Sequence, residues 1–158
     1  VINPVEARFT DPIERVFGLL QQYRDWLSPK GFAMGCPIGN LALEAADNNP
    51  AVRDLVSKNF EGWIGCVRSW LEDAGDRLPS NLDRDQLARF VLTVMEGGVM
   101  QSRASGTTDP YDDSIAQLRS YFDRLLAEAA SVPPSRKTRK STSVRTSKPR
   151  GKGRRRPS

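Results

Sequence analysis

With 158 residues and a formal charge of +5 the chain has room for one domain, and no apolar run reaches the roughly 18 residues of a membrane span. The charge is sharply divided: 13 Lys/Arg against 19 Asp/Glu leave residues 1–130 at −6, whereas residues 131–158 hold 11 Lys/Arg and no acid. With no histidine, and with Cys36 and Cys66 as the only cysteines, His-based nucleophile pairs and zinc sites are excluded. Two reduced thiols in a cytoplasmic chain without a secretory signal are expected.

The predicted elements are helical throughout residues 1–130. Asp11-Pro12 with Glu14 reads as an N-cap, a first-turn proline and a capping carboxylate. Apolar residues at Ile13, Val16, Phe17, Leu20, Tyr23 and Leu27 then follow one helical face up to Pro29 and Gly31. A short helix, 37–46, carries Ile38, Leu41, Ala42 and Ala45. Asn49-Pro50 opens a long helix through Phe60, Trp63, Val67 and Trp70 that stops near Gly75. Asp83 with Gln86 caps the next, which holds Leu87, Phe90, Val91, Val94, Met95 and Val99. Asp109-Pro110 starts the last, where Ile115, Leu118, Phe122 and Leu125 are spaced 3-4-3. Such a seam suits shallow-angle packing, either inside the protomer or against a second copy. Strand and hairpin signals are nearly absent, so the expected fold class is all-α, with five helices in the body.

Gly97-Gly98 interrupts a helical pattern at a cost of about 1 kcal/mol per glycine relative to alanine. It marks either a kink or a close approach of two backbones. Soft and aromatic side chains (Phe17, Tyr23, Phe32, Cys36, Phe60, Trp63, Met95, Met100) are accompanied by the polar Asn40, Asn59 and Glu96. That mixture is compatible with plain core and with a small-molecule pocket. Glu44, Asp47 and Glu96 are available carboxylates, but they form no acid pair or nucleophile–base set, and no enzyme activity or cofactor is expected.

The stretch Gly35-Cys36-Pro37-Ile38-Gly39-Asn40-Leu41-Ala42-Leu43-Glu44 resembles the GCxxGNLAxE segment of TetR/AcrR-type transcriptional regulators. Met95-Glu96-Gly97-Gly98-Val99-Met100-Gln101-Ser102-Arg103-Ala104 resembles the family's xEGxxxxARA helix, and residues 109–126 are similar to its closing helix. The resemblance covers residues 5–130, in the family's order. It implies a C-terminal ligand-binding and dimerisation domain over 11–130, whose last two helices pair with their copies in a four-helix bundle. The interface would use Phe90, Val94, Gly97, Gly98 and Gln101 from one helix, and Ile115, Leu118, Phe122 and Leu125 from the other. It also implies a cavity for a small, largely apolar effector. Its lining would include Phe17, Leu20 and Tyr23, then Cys36, Ile38 and Asn40, then Trp63, Val67 and Met95.

The chain departs from the family in lacking the N-terminal helix-turn-helix, so a truncated regulator, read as a repressor, is expected. Residues 1–10 are then the remnant of a connecting segment, although Pro4 argues against continuous helix there. The alternative reading places function in residues 131–158, a disordered basic tail. Arg136, Lys137, Arg139, Lys140, Arg154, Arg155 and Arg156 would follow nucleic-acid phosphates without sequence preference.

Overall fold

The computed structural model describes residues 2–28, 32–45 and 48–131; the basic tail, with all seven of its candidate phosphate contacts, and Asp47 lie outside them. The described residues form six α-helices and no strand: α1 (Ile2–Arg8), α2 (Pro12–Leu27), α3 (Pro37–Glu44), α4 (Pro50–Asp73), α5 (Arg84–Ser105) and α6 (Asp109–Ser131), with one 3₁₀ turn at Gly75–Arg77. The added helix is α1. Pro4 falls in its first turn, where the missing N–H has no intrahelical acceptor in any case, so the proline is compatible with helix.

Local chemistry sets the boundaries. Asp11 Oδ1 accepts from the backbone N–H groups of Ile13 (2.8 Å) and Glu14 (3.2 Å), and Asn49 and Asp83 cap α4 and α5 in the same way. Glu14 does not fold back on its cap. It accepts a two-pronged bond from Arg119 on α6 at 2.6 and 3.1 Å, because a cationic fork opposite it outcompetes one backbone N–H. Gly106, at φ 71°, ends α5 in the left-handed conformation open to glycine.

Helix α5 lies between α4 and α6, and α2 packs against α4 and α6 from the other side. Two ion pairs, Arg68–Asp85 at 3.2 Å and Arg89–Glu61 at 2.7 Å, record the antiparallel register of α4 and α5. Arg24–Asp112 and Glu14–Arg119 do the same for α2 and α6. Trp70, Phe32, Tyr111, Phe122, Leu20 and Leu71 centre the core, each with at most 2% exposure. Helix α1 docks through buried Val5 and through Glu6, which accepts from the Trp70 indole at 3.1 Å.

The turn from α5 into α6 is tightly built. Ser102, fully buried, accepts from the Tyr111 backbone N–H at 3.1 Å, and the Tyr111 hydroxyl donates to the Leu20 carbonyl at 2.9 Å. Gly98 lets this corner close: a Cβ there would stand 3.1 Å from the Tyr111 ring and 3.2 Å from its Cα. Of the two readings of the glycine pair, Gly98 therefore marks a close approach, and the approach is internal. Among the described residues no helix is long and apolar enough to cross a membrane.

Candidate functional site

Between α3, α4 and α5 lies an open cavity of about 810 Å³. Its walls are largely apolar: Val56, Phe60 and Ile64 from α4 face Leu92, Val99 and Met100 from α5. The lid is α3, which places Gly39, Ala42 and Leu43 on the cavity and contributes no buried residue of its own. Its amino end is held by side chains of the glycine-rich motif. Cys36, the N-cap, accepts from the Gly39 N–H at 3.4 Å. The Asn40 amide donates to the Met34 carbonyl at 2.8 Å and accepts from Arg103 of α5 at 2.8 Å.

Glu96 joins α5 to the same motif. Its Oε2 lies where a side chain at residue 39 would be, 2.7 Å from an added Cβ, so glycine is required at 39 for the carboxyl to reach α3. Among the described residues the buried Tyr23 hydroxyl and Glu96 Oε1 have no hydrogen-bond partner, and the Cys36 thiol is the polar neighbour they share. Burial pushes the Glu96 carboxyl above the ordinary glutamate range, with Cys36 opposing, and burial likewise raises the Cys36 thiol. Both groups are thereby held nearer to neutral. Cys36 and Cys66 are free cysteines, the first buried and the second half-buried.

Of the nine residues expected at an effector cavity, the structure brings Cys36 and Asn40 to it. Tyr23, Val67 and Met95 are core residues, at most 3% exposed, and Ile38 and Trp63 pack half-buried against that core. Phe17 and Leu20 face α6 instead. They line a smaller hollow with Ile115, and the Arg119 guanidinium sits 3.5 Å above the Phe17 ring. Apolar facing selects core and cavity walls alike. Glu96 and Met100 were visible as features of the sequence and Arg103 as the arginine of the Met95–Ala104 stretch, whereas Arg53, which also lines the cavity, gave no signal that separates it from surface cations.

The nine expected interface residues divide as well. Phe90, Val94, Gly97 and Gln101 line a groove between α5 and α6 together with Gln117 and Tyr121. Phe90 is 47% exposed there, with its ring edge-on to Tyr121 at 6.2 Å. Gly97 belongs to this open face, since nothing lies within 4 Å of a Cβ added there. Gly98 and Leu118 reach the floor of the same groove, although Leu118 is buried and Gly98 is closed against Tyr111, whereas Phe122 and Leu125 are buried inside the single chain. Ile115 is half-buried on the α2 side. Most of the heptad seam is thus buried within the protomer, where Phe122 meets Phe17 of α2 and α6 packs along α5.

The family described as "Tetracyclin repressor-like, C-terminal domain" matches residues 12–118. The chain belongs to this TetR-type family. Its members are transcription regulators and not enzymes. The chain is similar to the HTH-type transcriptional repressor DhaR of Mycobacterium sp. (strain GP1), with 23% identity over 136 residues, or 84% of this chain. It spans 64% of that relative's length. A crystal structure of a TetR transcriptional regulator from Chloroflexus aurantiacus superposes with a TM-score of 0.58 at 24% identity, over 78% of this chain and 60% of that one. This second likeness supports the all-helical TetR-type fold.

Proposed function

We propose that residues 11–130 are the effector-sensing and dimerising domain of a cytoplasmic one-component repressor, whose DNA binding is released by a small, largely apolar molecule. The observation that carries this reading is the α3–α4–α5 cavity: it is apolar, of ligand size, and roofed by a helix that owns no part of the core. The exposed α5–α6 face, with Phe90, Val94 and Gly97, supports pairing with a second copy through a four-helix bundle. Helix α1 serves as the link toward a DNA-reading module. An effector that favours one position of α3 and α4 shifts the pair of DNA-reading heads by no more than its differential affinity, typically about 1–3 kcal/mol.

Thermal unfolding of the chain against a panel of apolar small molecules tests the sensing role. Cavity ligands should raise Tm in the native sequence and lose that effect in Ala42→Trp, which projects bulk from α3 into the cavity. Shifts that survive Ala42→Trp would place the ligand elsewhere.

A second reading, favoured by the division of charge, gives residues 131–158 a supporting part on DNA. The antiparallel register of α2 and α6 brings Ser131 to the end of the domain that carries the α1–α2 junction. The 11 cations that follow thus start on the side from which a DNA-reading module would extend. If half of them engage phosphates, log K for duplex DNA falls with log salt at a slope of roughly −4 to −5. Removing residues 133–158 should abolish that binding, and an unchanged affinity would end this reading.

A further inference from the structure

Given that the cavity takes an effector, as proposed above, we infer that its ligand is an amphipathic anion: an apolar body lying along α4 and α5, ending in a carboxylate or similar oxyanion held by Arg53 and Arg103. The charges lining the cavity are not balanced. Arg89 is already engaged by Glu61 at 2.7 Å and Asp85 at 3.0 Å, so that end of the cavity is electrically closed. Among the described residues, neither Arg53 nor Arg103 is in an ion pair. The one remaining acid of the wall, Glu96, is turned toward Gly39 of α3 and forms no ion pair with either arginine. What the cavity offers a ligand is therefore an excess of positive charge.

The two cations lie toward one end of it. Helices α4 and α5 are antiparallel, so the start of α4 and the end of α5 meet at the pole opposite the Arg89–Glu61 pair. Arg53 is two turns from Glu61, roughly 12 Å along the helix. Between these ends the apolar part of the wall includes Val56, Phe60, Leu92 and Met100. Arg103 is pre-positioned, since one of its terminal nitrogens donates to Asn40 while its other N–H groups are left for a ligand. A planar fork beside an apolar slot favours an oxyanion on an apolar stem over the same stem with a neutral or cationic head.

Calorimetric titration of the chain with decanoate, decanol and decylamine tests the assignment. Decanoate should bind roughly tenfold more tightly than decanol, the worth of a charge-assisted hydrogen bond, and decylamine most weakly. Arg53→Gln, at an exposed position, should narrow the gap without affecting decanol, and Arg53→Gln/Arg103→Gln should close it. If decanol or decylamine binds as tightly as decanoate, or if the double variant keeps the preference, the anionic class is overturned while the cavity stands as an effector site. If none of the three binds, both fail.

Discussion

Replacing Gly98 by leucine should strongly destabilise the protomer itself and not merely separate two copies of it. A single added carbon would already stand 3.1 Å from the Tyr111 ring and 3.2 Å from its Cα, and leucine brings three carbons more. Tyr111 cannot retreat: it is 1% exposed, and bonds to Ser102 and to the Leu20 carbonyl fix it at both ends. Overpacking of a closed site costs about 1–3 kcal/mol, and more where backbone is the obstacle, a large share of the roughly 5–15 kcal/mol that hold a domain together. Urea unfolding followed by circular dichroism should show the transition moved far toward zero denaturant or lost. Gly97→Leu, one residue earlier, should behave in the opposite way. Its Cβ meets nothing within 4 Å, and the exchange removes a glycine penalty of about 1 kcal/mol. The protomer should remain folded while sedimentation velocity reports a shift from dimer to monomer. A Gly98→Leu variant with the native urea midpoint would refute this division of roles.

Phe122→Ala carries the second large effect. The ring is fully buried in the single chain and meets Phe17 edge-on, with centroids 5.2 Å apart at 82°. Removing it deletes a core volume enclosed by α2 and α6, a change that costs about 3–5 kcal/mol, part of it the aromatic pair itself. The loss should be visible as a fall in unfolding free energy that does not depend on protein concentration, because the contact lies within one protomer. Phe90→Ala provides the contrast. At 47% exposure the Phe90 ring contributes little to the isolated fold, so its removal should weaken self-association and leave the concentration-independent part of stability almost unchanged. If Phe122→Ala were to act only through dimer dissociation, the seam would have to be returned to the interface.

The helices were legible in the sequence because their signals are local. Asp11, Asn49 and Asp83 open α-helices through bonds that involve only near neighbours, and these elements begin where such residues stand. Helix α1 was harder to see, since a proline in a first turn and a proline that breaks a helix look alike until the register is known. The destination of each apolar face was not legible. A 3-4-3 seam can be met within the protomer as well as by a second copy, and the choice depends on tertiary neighbours that no spacing encodes. Residues of the candidate cavity were readable chiefly where the Gly35–Glu44 and Met95–Ala104 stretches marked them. The core absorbed Phe17, Leu20, Tyr23, Val67 and Met95, because a side chain facing inward on a helix carries no label that says whether the space beyond is filled. Arg53 could be told apart from other arginines only by finding which of them lack a carboxylate.

Helix α3 has a mechanical consequence. Eight residues that own no buried side chain, while exposing Leu41 and Leu43 at 44% and 77%, gain little free energy from staying where they are. Local opening draws on the segments with fewest buried apolar contacts, and here that segment is the roof of the apolar cavity beside it. The domain thus separates a stiff frame, built around Trp70, Tyr111 and Phe122, from a panel hung on the Cys36 cap and the Asn40–Arg103 bond. A molecule beneath the panel would act as its missing core, so the work of holding α3 in one place would pass from the protein to its guest.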